Sequence, residues 1–414
     1  MSLPVALIAT LDTKGPEVAY LRDRLAALGV PSIVIDTGIL GEPVGITPDV
    51  SHADLAEFGG ITLERLQHAG TRGDAVALMR GFVVDYVDRL WREGRIAGGI
   101  AIGGVGVVMG AAALHRLPLG VPKIVIAPTA SGHHEFAPYV GTKDVMVLHS
   151  VVDILGLHAI ATTVFDNAAA AMAGMLEHGH ALPAPDPTAR YVGVTMLGNT
   201  TTAVGALAER LAEHGYEAVV FHSSGVGGRS MEELAEAGHF VGVIDYTTNE
   251  IVDHLTGGIH DAGPDRLRRV GRAGIPQVVV PACVDFSVFE ADAIPERHRD
   301  RPLYEHNPQY TLMRTSEDEM AQVGEIFAAR LNEATADVEV IVPTEGLSIP
   351  NAPGGVFWNP DADRRFLDTV RRDLREDIPV RTVALHADDP ALGRLVADAF
   401  HTLHLARETK EQTS

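Results

Sequence analysis

The chain has 414 residues, 46% of them hydrophobic and 21% charged, proportions typical of a globular protein large enough for two or three domains. The formal net charge of -22 disfavours nucleic acid and anionic membrane surfaces as partners, because their phosphates would be repelled. Cys283 is the only cysteine, which excludes an intramolecular disulfide and favours a reducing compartment. The first residues lack the positive charge of a signal peptide, and no apolar run reaches the ~20 residues of a membrane span, so we expect a cytoplasmic protein.

The chain opens with a pattern that predicts a βαβ unit. The apolar run 5–10 predicts a buried strand, residues 16–28 carry apolar side chains at helical spacing, and residues 32–35 predict a second strand that ends at Asp36. The predicted loop between the first strand and the helix supplies candidate ligand-binding residues: Asp12, Thr13, Lys14 and Gly15. A lysine there could balance a phosphate charge, or it could simply be solvated.

Residues 38–70 are polar and irregular, residues 75–93 predict a helix, and residues 96–117 then predict a strand, a glycine turn and an Ala-rich helix. Gly103, Gly104 and Gly106 let a ligand approach bare backbone amides, and the helix that follows favours an anion at its N-terminus. The spacing Gly104-x-Gly106-x-x-x-Gly110 is one residue too long for a dinucleotide fingerprint, and no Walker lysine follows. A ligand loop and an ordinary tight turn are equally consistent with this pattern.

A strand is predicted over residues 123–127, and its loop contains Ser131 and Gly132, which are further candidates for ligand binding. His133, His134 and Glu135 follow, but adjacent histidines rarely share a metal and no second cluster supports one, so we predict no metal site. A helix is predicted over residues 168–178. Three prolines within residues 182–188 predict a stiff connector, and we expect domains over residues 1–184 and 188–408 with a frayed tail over 409–414.

The second half restarts in the same way, with a predicted strand over 191–196, a loop containing Thr200 and Thr201, a helix over 203–214 and a strand over 218–221. Shifted by 186 residues, this segment matches the N-terminal start without a gap. Duplication would produce the match, and so would the pattern common to βαβ units. Later strands are predicted over 242–244, 277–281, 339–343 and 380–385, with helices over 265–273, 316–333 and 391–406. Each half therefore predicts a mostly parallel sheet with helices on both faces.

Ligands of open α/β sheets bind beyond the carboxyl ends of the strands, which makes polar residues there candidates for chemistry. His222, Asp245 and Asp285 follow or end predicted strands facing an interdomain cleft, and we expect acid/base or Mg²⁺-linked roles for them. Asp36 lies 24 residues past Asp12, close to where a dinucleotide fold places its ribose-binding acid. The first loop has one glycine where that fingerprint needs three, so NAD is disfavoured. Each of these residues could instead cap a helix.

Several ordered strings, including residues 8–15, 98–104, 139–141, 225–228, 242–245 and 311–315, resemble an uncharacterised bacterial family. That family is related to the N-terminal ATP-binding domain of a plant protein that confers resistance to tomato mosaic virus. The resemblance implies two Rossmann-like domains, ATP binding and a homodimer. Three positions depart from the usual residues of that family, since Ala203 replaces a proline, His158 an asparagine and Asn351 an aspartate.

We therefore expect a nucleotide-binding protein, an enzyme that uses ATP, with or without Mg²⁺, or another phosphorylated ligand in a cleft between two domains. Two alternatives remain open. The protein could be a ligand-gated interaction protein in which ATP is structural, or a hydrolase or lyase of a small carboxylate that needs no nucleotide.

Overall fold

The computed structural model describes residues 3–130, 136–186 and 188–413. The chain divides into two compact units, Met1–Pro183 and Ala184–Ser414, each built on its own parallel sheet.

The helices and strands of the first unit alternate along most of its length. In chain order they are β1 Val5–Ala9, α1 Leu11–Ala27, β2 Ser32–Asp36, α2 His52–Phe58, α3 Leu63–Gln67, α4 Arg72–Arg92, β3 Gly98–Ile102, α5 Val107–Leu114, β4 Lys123–Ala127, α6 Ala137–Val140, β5 Met146–His149 and α7 Ala159–His178. The five strands pair in parallel in the order β2-β1-β3-β4-β5.

Successive side chains of the first sheet point to opposite faces, and each face is covered by helices. Ile8 and Val125 pack on one face with α4 and α5, whereas Leu7, Ile100 and Ile124 pack on the other with α1 and α7. This burial on both sides explains why the strands read as continuous apolar runs.

Helix α7 is long and apolar enough to cross a membrane by length and composition, which the sequence prediction of a shorter helix over 168–178 missed. The core helix of a soluble protein passes the same test, and Phe165, Ala168 and Met172 of this helix are buried in the core of the first unit.

The second unit has a longer series of elements. They are β6 Tyr191–Met196, α8 Thr201–Glu213, β7 Glu217–His222, α9 Gly227–Glu236, β8 Gly242–Thr247, α10 Asn249–Thr256, α11 Arg269–Arg272, β9 Gln277–Ala282, β10 Phe286–Glu290, β11 Leu303–Glu305, β12 Tyr310–Arg314, α12 Glu317–Leu331, β13 Val338–Pro343, α13 Pro360–Asp373, β14 Val380–Val383 and α14 Pro390–Thr413. Six strands form a parallel sheet in the order β7-β6-β8-β9-β13-β14.

The predicted class, two Rossmann-like α/β domains with mostly parallel sheets, is confirmed. Helices α2 and α3 lie in the segment over residues 38–70 that was predicted to be irregular, and three other features also differ from the prediction. Strands β10, β12 and β11 form an additional antiparallel sheet, which no sequence pattern indicated. Helix α14 continues to Thr413, past the predicted end at residue 406. Helix α1 begins at Leu11, so residues 11–15 form its first turns and not a loop.

Candidate functional site

A cavity of the first unit lies where the strand order reverses. Strands β1 and β3 are neighbours, but the connection from β1 leads to β2 on one side of the pair and the connection from β3 leads to β4 on the other, so a crevice opens beyond the carboxyl ends of β1 and β3. Ligands of doubly wound folds bind at such a point. The cavity has a volume of about 790 Å³, within the range that holds a nucleotide-sized molecule.

The glycine turn after β3 forms one wall of this cavity. The Gly103 amide donates to the Ile126 carbonyl at 3.2 Å, and the Val107 amide donates to the Gly104 carbonyl at 3.1 Å. Within the described part of the chain, the amides of Gly104, Val105 and Gly106 have no acceptor. A Cβ on Gly104 would meet nothing within 4 Å, so this stretch of backbone is open to the cavity.

Three helices begin at the cavity. Asp12 and Thr13 belong to the first turn of α1, Arg72 begins α4, and Val107 begins α5. Helix N-termini carry a partial positive charge, so their convergence favours an anion. The chain already supplies acceptors at two of them, because Asp36 accepts from the first amide of α1 and a capping box begins α4.

Two cationic side chains also line the cavity. Lys14 is about 15% exposed, its Nζ donates to the Ile154 carbonyl at 2.5 Å, and it lies 3.9 Å from Asp153 Oδ1. Arg72 is exposed and forms no ion pair within the described residues. An arginine in the first turn of a helix opposes the helix dipole, and an anionic ligand would relieve that conflict.

The rest of the wall is largely apolar. Ile39, Val76 and Met109 line it, together with Leu40 and Val105, which are 74% and 78% exposed. The cavity therefore combines an anion-binding wall with an apolar wall, an arrangement suited to an amphiphilic ligand that carries phosphate.

Six of the predicted ligand-binding residues line this one cavity: Asp12, Thr13, Lys14, Gly103, Gly104 and Gly106. The residues that line this cavity all belong to the first unit, and a cleft between the two domains stays a prediction. Ser131 and Gly132, like His133, His134 and Glu135, lie outside the described residues.

Gly15 and Asp36 have positions explained by the packing of the first unit. A Cβ on Gly15 would lie 1.7 Å from the Val44 carbonyl oxygen, so only glycine fits there. Asp36 is fully buried, and its Oδ1 accepts from the amides of Leu11 at 3.0 Å and Gly38 at 2.8 Å. Burial raises the pKa of Asp36, while these two amide bonds lower it. The carboxylate therefore caps α1 and does not line the cavity as a ribose-binding acid would.

Thr200 and Thr201 lie in the second unit, where their hydroxyls are used locally. The buried Thr200 hydroxyl bonds to the Thr247 hydroxyl at 2.9 Å, and the Thr201 hydroxyl donates to the Gly198 carbonyl at 3.1 Å. The amides that begin α8 are also occupied, because Asp388 Oδ1 accepts from Thr202 at 2.8 Å and from Ala203 at 3.1 Å.

The three predicted acid/base residues occupy very different surroundings. His222 is exposed at the end of β7. Asp245 lies inside β8 and not at its end, is buried, and forms a bidentate ion pair with Arg266 at 2.5 and 2.6 Å. It is therefore not free for proton transfer.

Asp285 is fully buried in the second unit, and its Oδ2 accepts from the Ser348 hydroxyl at 2.6 Å. Burial raises the pKa of Asp285 to about 6, although the charge of Arg314 opposes the shift. No hydrogen bond or ion pair joins this residue to His222 or Asp245 within the described ranges.

The residues of the cavity that sequence reasoning missed include Thr10, Thr37, Gln67 and Arg72. A signal for Arg72 was present. The Thr71 side chain accepts from the Asp74 amide, and the Asp74 carboxylate accepts from the Thr71 amide at 2.8 Å. This capping box marks the start of α4 and places Arg72 in its first turn.

The fold and this cavity define a protein of two doubly wound α/β domains, with a candidate anion site at the switch point of the first. The chain belongs to the uncharacterised protein family UPF0261, whose N-terminal domain model matches residues 3–181 and whose C-terminal domain model matches residues 189–404.

Relatives cover nearly all of this chain. A UPF0261 protein of Clostridium tetani is 37% identical over 91% of this chain and 93% of its own length. The ToMV resistance protein Tm-1 of Solanum lycopersicum is 35% identical over 96% of this chain, which spans 55% of that protein. Among solved structures, a UDP-GlcNAc 2-epimerase of Methanocaldococcus jannaschii is 10% identical over 97% of this chain and 100% of its own, with a TM-score of 0.23.

Proposed function

We propose that the protein binds ATP or a related phosphorylated ligand in the cavity of the first unit. The observation that carries this proposal is the row of open amides at Gly104, Val105 and Gly106, which have no acceptor in the described part of the chain. These amides are exposed or half-exposed and therefore free to donate to a ligand, and a phosphate oxygen at the start of a helix is a suitable acceptor.

The surroundings of these amides support the same ligand class. Lys14 and Arg72 add positive charge to a protein that is acidic overall, and the N-termini of α1, α4 and α5 add partial positive charge. Ile39, Leu40 and Val76 offer an apolar surface for a nucleobase. The resemblance to a family related to an ATP-binding domain favours ATP among nucleotides. A cytoplasmic homodimer stays part of this proposal.

Whether the bound ligand is turned over depends on an acid or base near it. Asp12 is the only carboxylate among the described residues that line the cavity, and no described histidine or cysteine lines it. This composition favours a second candidate, in which the ligand controls an interaction of the protein and is not consumed. An assay of ATP consumption, with purified protein and varied enzyme concentration, separates an enzyme from such a ligand-gated protein.

Calorimetric titration with ATP tests binding. We expect Lys14→Ala to weaken ATP binding by about 10- to 100-fold, because a charge-assisted hydrogen bond contributes about 1.5–3 kcal/mol. Arg22→Ala, which removes an exposed cation from the same helix, serves as the matched control and should bind as the wild type does. Wild-type protein that shows no binding heat even in millimolar ATP, or a Lys14→Ala variant with unchanged affinity, would falsify this site.

A further inference from the structure

Asp12 is the feature of the cavity that an anion site does not explain. It lies in the first turn of α1 and lines the same cavity as Lys14 and the glycine turn. Its Oδ1 is buried and has no hydrogen-bond partner within the described residues. A carboxylate beside a phosphate is repulsive, and a buried oxygen without a partner costs free energy.

The side chain of Asp12 also lies close to Gly41. A Cβ on Gly41 would lie 2.7 Å from the Asp12 Cβ and 2.8 Å from its Oδ2, so only glycine fits beside this side chain. The lack of a side chain at Gly41 leaves room for the Asp12 carboxylate at the wall of the cavity.

A divalent cation removes this conflict. Mg²⁺ is typically bound by one or two carboxylates together with phosphate oxygens and water. The described residues contain no group of three or more His, Cys, Asp or Glu side chains that could hold a metal by themselves. A cation at Asp12 would thus need oxygens from the ligand, and it would enter with the ligand.

We propose that the ligand binds as a complex with a divalent cation, and that Asp12 is the protein ligand of that cation. This inference rests on the proposed binding of a phosphorylated ligand. It transfers the Mg²⁺-linked role expected of Asp245 and Asp285 to a residue of the first unit. Those two carboxylates are buried and do not line the cavity. Asp245 pairs with Arg266, and Asp285 accepts from Ser348 through Oδ2, while its Oδ1 has no hydrogen-bond partner within the described residues.

Titration of ATP in EDTA and in excess Mg²⁺ tests the inference. In the wild type, excess Mg²⁺ should lower the Kd for ATP by about tenfold or more. In Asp12→Asn the gain from Mg²⁺ should disappear, while ATP in EDTA should bind at least as tightly as in the wild type because a repulsive charge is gone. Asp23→Asn, at an exposed acid of the same helix, should behave as the wild type.

Electron paramagnetic resonance with Mn²⁺ and ATP gives a second readout. Wild-type protein should change the spectrum of the Mn²⁺–ATP complex in a way that Asp12→Asn does not reproduce. If Asp12→Asn lowers affinity equally with and without Mg²⁺ and leaves the Mn²⁺ spectrum unaltered from wild type, Asp12 has a structural role and the inference is overturned. If wild-type protein binds no ATP under either condition, the proposed function itself fails.

Discussion

Two glycines of one sequence motif should respond in opposite ways to the same substitution. A Cβ on Gly104 meets nothing within 4 Å, and its φ lies outside the left-handed region. A Cβ on Gly110 would lie 2.8 Å from the Ala101 Cβ and 3.1 Å from the Ile8 Cγ2, between α5 and the sheet. Gly104 therefore leaves space for a ligand, whereas Gly110 allows the helix to pack closely on the strands.

The magnitudes follow from this geometry. Gly104→Val should change the free energy of unfolding by no more than about 0.5 kcal/mol, as surface substitutions do. It should weaken ATP binding by about 10- to 100-fold, because the valine side chain occupies the approach to the open amides and removes about 1.5–3 kcal/mol of charge-assisted hydrogen bonding. Gly110→Val should lower the free energy of unfolding by about 1–3 kcal/mol through overpacking, with ATP affinity of the folded protein preserved.

Urea unfolding followed by circular dichroism gives the stability of each variant, and calorimetry below the unfolding transition gives its ATP affinity. The two glycines act as controls for each other, since both substitutions place the same side chain within one turn and helix. A Gly104→Val variant that binds ATP as tightly as the wild type would refute the assignment of the cavity. A Gly110→Val variant of unchanged stability would refute the packing argument.

Two further predictions concern the second unit. Arg266 is fully buried and pairs with Asp245, Glu250 and Glu232, so Arg266→Leu should lower the free energy of unfolding by about 3–5 kcal/mol in urea titrations, whereas the half-exposed Arg272→Leu should change it little. Burial raises the pKa of Asp253 to about 8, against about 3.9 in an unfolded chain. The folded state then binds more protons between these values, so this carboxyl makes the free energy of unfolding fall as pH rises from about 4 to about 8. In urea titrations across that pH range, the free energy of unfolding of Asp253→Asn should fall less steeply with pH than that of the wild type. Equal slopes in the two proteins would contradict the raised pKa of Asp253.

The predictable part of the site came from residues that directly follow strands. Lys14 and Gly104 follow β1 and β3, and neighbouring parallel strands bring their carboxyl ends together whatever lies between them in the chain. Arg72 follows no strand and reaches the cavity only because α4 begins there after the long segment over residues 38–70. Its place depends on how that segment folds, which a pattern of apolar spacing does not encode.

Other differences also arise from contacts between residues distant in sequence. Helix α1 begins at Leu11 because Asp36, 25 residues away, accepts from its first amide, and the local sequence shows only a glycine and a proline that suggest a later start. The position of Asp245 near a strand end in the sequence suggested a catalytic acid. In the structure it pairs with Arg266, 21 residues further along the chain, and belongs to a buried ion cluster.

The first five strands of the second sheet follow the strand order of the first sheet, but the two units differ at their glycine turns. In the second unit, Glu250 Oε1 accepts from the amides of Gly225 at 2.8 Å and Gly228 at 3.1 Å, and Asp388 accepts from the first amides of α8. In the second unit, the chain's own carboxylates therefore already accept from the amides of the glycine turn and from those that begin α8. At the glycine turn of the first unit, no described carboxylate accepts from the amides of Gly104 or Gly106. A glycine-rich turn in either half carries the same sequence signal, so what separates a ligand site from a structural turn is which group accepts from its amides.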